Sequence, residues 1–245
     1  MNLNREYVFE GDNGAGMLLL HGSTSGASQF RPLAAFLNMY GFTTYGVNIA
    51  GHGEESGDAL KGLTDEDMIQ KAEADLATVK AKHNKVFVIG FSLGGLLTLY
   101  LASKHQDLAG IVPMAPAVLL KMSGFHTMKY ETEYAHKPLD NKSGLYKMYH
   151  NHYENVPVSY LTKPSVIHKE IVTQNGLKNI TCPIFVIQPL NDGSVEPATA
   201  QYVCDHVSSA DKQFMMVQGG GHVFLLSEYR YEPYEKTVEF LLRLL

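Results

Sequence analysis

Short apolar runs alternate with longer stretches in which apolar residues return every three or four positions, and this rhythm covers most of the chain. Runs at residues 7–9, 17–20, 43–47, 86–89, 111–114, 184–187 and 214–217 predict buried strands. Stretches at residues 28–39, 65–82, 93–104, 197–206 and 231–244 predict helices. Leu93, Leu96, Leu97, Tyr100 and Leu101 share one face of the third predicted helix. Tyr234, Val238, Leu241, Leu242 and Leu245 do the same in the last. Thr64, followed by Asp65, Glu66 and Asp67, predicts a helix N-cap with an acidic first turn. Strands that alternate with helices imply a mostly parallel sheet, because a parallel neighbour is reached only through a crossover. The predicted class is therefore α/β, with helices on both faces of the sheet.

Residues 117–178 break the rhythm. They offer no convincing buried strand, their helical periodicity is weak, and Tyr, His, Met and Lys are abundant. No Pro- or Gly-rich linker flanks them, so they predict an inserted cap over the C-terminal edge of the sheet, where binding elements collect. Residues 1–116 and 179–245 then form the core. Met122, Phe125, Met128, Tyr130, Tyr134 and Tyr146 are the cap's candidate substrate contacts, although each also serves simply to pack the cap onto the sheet.

Composition narrows the class further. The 245 residues are 45% hydrophobic and 18% charged, which is ordinary for a globular chain with a sizeable core. A formal charge of −5 without Lys/Arg runs excludes the electrostatic footprint of a nucleic-acid binder. The apolar run at 17–20 is too short for a signal peptide, and no run reaches membrane-spanning length. Cys182 and Cys204 have no zinc or redox spacing and predict buried free thiols, which suits a reducing cytoplasm. His150 and His152 lack a carboxylate or cysteine nearby to complete a metal site and are expected to be a solvated pair.

The candidate chemistry begins at Gly90-Phe91-Ser92-Leu93-Gly94-Gly95, between the strand at 86–89 and the helix at 93–104. A G-x-S-x-G turn in that setting is a nucleophile elbow, a strained bend that holds a serine hydroxyl clear of the sheet. So tight a turn leaves no room for a β-carbon two residues to either side of the serine, hence the glycines. The hydroxyl needs a base, and the base an orienting group. In the chain order Ser, acid, His, both fall in loops after two later strands. The first such loop is Gln188-Pro189-Leu190-Asn191-Asp192, and the second ends in Gly219-Gly220-Gly221-His222. Asp192 and His222 are the candidates, with Asp205 and Asp211 as rival acids in or beside the next helix. Charge developing on a substrate carbonyl oxygen needs preorganised donors. The backbone N–H of Leu93 is one, and that of Ser23, in His21-Gly22-Ser23-Thr24-Ser25-Gly26, is the best candidate for the other.

Through His21-Gly22, Ala50-Gly51-His52-Gly53, the elbow, the Gln188-to-Asp192 loop and Gly221-His222-Val223, the chain resembles the α/β-hydrolase superfamily from residue 16 onward. Within it, the chain looks most like the small bacterial carboxylesterases related to monoacylglycerol lipases. The resemblance implies an α/β-hydrolase fold with an eight-stranded sheet and a small inserted cap. It also implies a Ser92–His222–Asp192 triad working by acyl-enzyme chemistry without a cofactor, and a loop-shaping role for His52. Ser23 departs from the pattern, since those esterases often carry a bulky apolar residue there. The expected function is hydrolysis of short- to medium-chain carboxylic esters, with no nucleic-acid or integral-membrane partner. Alternatives are a monoacylglycerol lipase or lysophospholipase, a feruloyl-type esterase, and, outside catalysis, a ligand-binding receptor on the same fold.

Overall fold

In the computed structural model, residues 4–121, 132–137, 144–163 and 165–245 are described. The strands in chain order are β1 (Tyr7–Phe9), β2 (Ala15–Leu20), β3 (Thr43–Val47), β4 (Lys85–Phe91), β5 (Gly110–Met114), β6 (Tyr134–His136), β7 (Asn155–Pro157), β8 (Ile184–Pro189) and β9 (Lys212–Val217). The helices are α1 (Arg31–Asn38), α2 (Asp65–Lys80), α3 (Leu93–Lys104), α4 (Gly144–Tyr149), α5 (Val158–Leu161), α6 (Val166–His168), α7 (Thr199–His206) and α8 (Tyr231–Leu242). Every strand and helix predicted from the apolar rhythm is present.

Seven strands form one sheet in the order β1-β3-β2-β4-β5-β8-β9, all parallel except β1, which pairs antiparallel with β3. The resemblance implied eight. Among the described residues no strand precedes β1, where Asn4 and Glu6 are drawn instead into hydrogen bonds with Asn48. A second correction concerns residues 117–178, which do contain strands: β6 and β7 make a short antiparallel pair. At three residues each, they are too short to carry a readable alternation.

Side-chain alternation along the strands divides the interior into two layers. Leu18, Leu20, Val86 and Val88 face α2, α3 and α7, while Met17, Leu19, Phe87 and Ile89 face α1 and α8. All eight are buried, each contributing about 1.5–3 kcal/mol by leaving water. The single apolar face expected for α3 understates its burial. Thr98, Leu99, Ala102 and Ser103 are buried as well, because β4 and β5 press on one side and the 166–179 segment on the other. In α8 the buried stripe runs through Tyr234, Thr237, Val238, Phe240 and Leu241, whereas Leu242 and Leu245 are exposed. Phe240 turns inward because its ring meets Phe185 of β8, 5.7 Å between centroids. Thr64 caps α2 as predicted, in a reciprocal capping box with Asp67. Cys182 and Cys204 are free and buried, and burial pushes their thiols up to about 12 and about 11.

Because β2, β4, β8 and β9 run parallel, the loops that follow them emerge on one edge. The chain leaves β2 toward β3 on one side and continues into β4 on the other, so a crevice opens where strand order reverses.

Candidate active site

Ser92 follows β4 with φ +54°, ψ −110°, in the strained region predicted for an elbow. The flanking glycines leave no alternative. A β-carbon on Gly94 would stand 1.9 Å from the Leu20 carbonyl oxygen, and one on Gly90 would stand 2.1 Å from that of Gly94. The bend is held by Ser92 N–H donating to Met114 O at 2.9 Å and by Ala117 N–H donating to Ser92 O at 3.1 Å. Gly94 N–H donates to His21 O at 3.1 Å, which pins the loop after β2 against the first turn of α3.

The structure brings the three predicted side chains together. His222 Nε2 lies 3.0 Å from Ser92 Oγ, and His222 Nδ1 lies 2.8 Å from Asp192 Oδ2. His222 reaches this position from β9 through Gly220 and Gly221, both at positive φ, and its ring rests against Phe91 at 4.9 Å between centroids. Asp192 is buried after β8, and its carboxylate has every acceptor direction used. Oδ1 accepts from the N–H groups of Ser194 and Val195 at 2.8 and 3.0 Å, and Oδ2 accepts from Gln188 Nε2 at 3.1 Å as well as facing His222. Burial by itself would raise this carboxyl, but the His222 hydrogen bond and charge, with the two backbone donors, hold it below its ordinary value. An ionised Asp192 against Nδ1 keeps the Nδ1–H tautomer of His222, so Nε2 faces Ser92 with its lone pair. The rival acids lie elsewhere: Asp205 accepts from Gln201, and Asp211 pairs with Arg243 at 2.7 Å.

Of the two predicted backbone donors, one lies in the elbow and the other in the loop pinned to it. Leu93 is the first residue of α3, where N–H groups have no partner within the helix. Ser23 lies two residues beyond His21 in the pinned loop. His21 holds that loop, and His52 packs against the His21 ring, 5.4 Å between centroids. His21 Nδ1 donates to Gly22 O at 2.7 Å, and its Nε2 accepts from Ile49 N–H at 3.0 Å. Burial, reinforced by His52, lowers the His21 pKa to about 3. Burial likewise lowers His52 to about 4, so both rings are neutral.

The cap candidates fare differently. Tyr134 hydrogen-bonds Asp58 and lies under Lys61, lining a groove of about 610 Å³ that none of Ser92, Asp192 and His222 borders. Tyr146 packs on the α1/α8 layer and against the His150 ring. Met122, Phe125, Met128 and Tyr130 lie outside the described residues. His150 and His152 are not a solvated pair. Both are half-buried with rings 5.0 Å apart, and His150 Nδ1 meets Gln29 Nε2 at 2.9 Å because Gln29 spans from Gly22 N–H to that ring. Among the described residues no group of three or more His, Cys, Asp or Glu is arranged to hold a metal ion. The sequence offers one signal for Gln188 as a partner of Asp192, a polar side chain inside an otherwise apolar strand.

The family model described as serine aminopeptidase, S33 (Hydrolase_4), matches residues 11–228. A thermostable monoacylglycerol lipase of Bacillus sp. (strain H-257) is 29% identical over 238 residues, covering 95% of this chain and 92% of its own. A carboxylesterase of Bacillus subtilis (strain 168) is 26% identical over 245 residues, covering 98% and 97%. Among solved structures, one reported for the metagenome-derived lipolytic enzymes LipS and LipT superposes with a TM-score of 0.84 at 21% identity, covering 98% of each chain. The sheet order and helix layers are thus those of an α/β-hydrolase, and the chain belongs to the serine aminopeptidase, S33 (Hydrolase_4) family.

Proposed function

We propose that the protein is a serine carboxylesterase acting on short- to medium-chain esters through an acyl-enzyme on Ser92. By family and relatives, the chain is a carboxylic ester hydrolase. The observation that carries the mechanism is the unbroken line from Ser92 Oγ through His222 to Asp192, with contacts of 3.0 and 2.8 Å. In this mechanism His222 Nε2 takes the Ser92 proton as Oγ attacks the ester carbonyl, and Asp192 stabilises the resulting imidazolium. The oxyanion is received by the N–H groups of Ser23 and Leu93. The alcohol leaves with the proton held by His222, and water repeats the sequence to release the acid. Residues 117–178 are proposed to be the cap that bounds the substrate, on a core of 1–116 and 179–245.

A monoacylglycerol substrate is the second choice, favoured by the 29% identity to the Bacillus lipase. A feruloyl-type ester is a further alternative. The test is turnover of p-nitrophenyl acetate, butyrate and octanoate, a monoglyceride emulsion, methyl ferulate and alanine p-nitroanilide. Butyrate or octanoate esters are expected to give the highest kcat/KM, and Ser92→Ala to lower kcat by about 10⁴-fold or more with an unchanged fold. Wild-type turnover retained in Ser92→Ala would exclude the acyl-enzyme, and preference for the anilide would exclude short- to medium-chain esters as the preferred substrates.

A further inference from the structure

Ser23 occupies a position where the resemblance leads one to expect a bulky apolar side chain, and its hydroxyl has a partner 137 residues along the chain. Ser23 Oγ lies 3.0 Å from the phenol oxygen of Tyr160, and that oxygen lies 3.3 Å from His52 Nε2. The proton directions along this line follow from its far end. His52 Nδ1 faces the Ala50 carbonyl oxygen at 2.8 Å, which only accepts, so Nδ1 carries the ring hydrogen. The neutral ring then presents a lone pair at Nε2. Tyr160 O–H therefore donates to His52, and Ser23 O–H donates to the Tyr160 oxygen. With its proton committed to Tyr160, the Ser23 hydroxyl is not a donor to the substrate, and only the Ser23 backbone N–H remains for that purpose.

Tyr160 belongs to α5, outside the segments that supply Ser92, Asp192 and His222. Neighbouring parts of the same insertion hold the next loop residue too. Tyr153 N–H donates to Thr24 O at 3.1 Å, and Lys137 Nζ donates to Thr24 Oγ1 at 3.2 Å. Thr24 sits at φ +63°, a backbone conformation that persists only where its surroundings enforce it. The Tyr153 hydroxyl in turn accepts from Glu54 N–H and donates to Gly51 O, tying the Gly51-His52-Gly53 loop into the same assembly.

We infer that Tyr160 is a positioning residue for ester hydrolysis: through the Ser23 hydroxyl it fixes the Ser23 backbone so that its N–H meets the substrate oxyanion. This rests on the serine-esterase function proposed above. The insertion between β5 and β8 thereby contributes to the rate of the chemical step as well as to the choice of substrate.

The experiment compares wild type, Tyr160→Phe, Ser23→Ala and the double variant on p-nitrophenyl butyrate, with phenylboronic acid as a tetrahedral-adduct inhibitor. Phenylalanine keeps the ring that meets His52 edge-on and removes one oxygen. Loss of a whole oxyanion donor lowers kcat by about 10²–10³-fold, so mispositioning one is expected to lower it by about 10–100-fold. KM should stay within about twofold while boronate affinity falls in parallel with kcat, since only the tetrahedral state uses the donor. Ser23→Ala should match Tyr160→Phe, and the double variant should show no further loss. The inference is overturned by a Tyr160→Phe kcat within twofold of wild type, by an effect confined to KM, or by losses that multiply in the double variant. Absence of wild-type ester turnover would instead remove the proposed function itself, a result recognisable before any variant is compared.

Discussion

Asp192 illustrates how much of a site resides in the direction of a few hydrogen bonds. Its Oδ1 is occupied by two backbone N–H groups, so an amide at this position must keep its carbonyl oxygen there. In Asp192→Asn the side-chain NH₂ would then face both His222 Nδ1 and Gln188 Nε2, donor against donor. The histidine is expected to respond by switching tautomer, which turns Nε2 into a donor toward Ser92 and removes the base. We predict a kcat loss of about 10⁴-fold on p-nitrophenyl butyrate with little change in KM. A loss under tenfold would show that Asp192 does not set the tautomer. Ser92, Asp192 and His222 were all legible in the chain, because a strand followed by a loop residue is a local pattern and the sheet carries each loop to the same edge. Gln188 and Tyr160 were not, since nothing beside either in the sequence announces its partner.

Elements contribute through how closely they approach. The elbow works only because β2, β4 and α3 meet at backbone distance, and Gly94 lies at that meeting point. Gly94→Ala would place a β-carbon 1.9 Å from the Leu20 carbonyl oxygen, and both groups belong to rigid elements. Overpacking of this kind costs about 1–3 kcal/mol or more, and any relief must pull α3 away from β2. The expected result is a Tm lower by several degrees together with loss of esterase activity, measured by thermal unfolding and p-nitrophenyl butyrate turnover. A variant with wild-type Tm and activity would contradict the close approach. Helix and strand identities were readable because apolar periodicity reflects local geometry. The faces of α3 and α8 were less so. Burial on several sides, or an inward Phe240, depends on what other elements press against the helix.

At the scale of the whole molecule, buried neutral histidines link stability to pH. Unfolded histidines take up a proton near pH 6.5. In the folded chain, His21 and His52 stay neutral down to about 3 and about 4 because burial disfavours the cation. Between these limits the unfolded chain binds more protons, so unfolding free energy rises with pH and is lost on acidification from about 6.5 downward. At pH 5 the two histidines each remove about 2 kcal/mol. Asp192, held below its ordinary value, acts in the same direction at lower pH: its contribution is present above the usual carboxylate range and is lost as pH falls through the depressed value. The urea midpoint is therefore expected to fall between pH 7.5 and 5, and His52→Gln to flatten that slope by about half. A midpoint independent of pH in this range would exclude the linkage.

By itself the sequence determined the α/β class, where along the chain the strands of the main sheet fall, the elbow and the loops that deliver Asp192 and His222. These rest on periodicity, turn sterics and chain order, all of which act over short stretches. Only the tertiary structure decided which residues of 117–178 meet the loop after β2, that Tyr134 and Tyr146 face elsewhere, and that Ser23, Tyr160 and His52 share one hydrogen-bonded line. A contact between residues 137 positions apart depends on how the insertion lies over the sheet edge, and neither residue carries a local mark of the other.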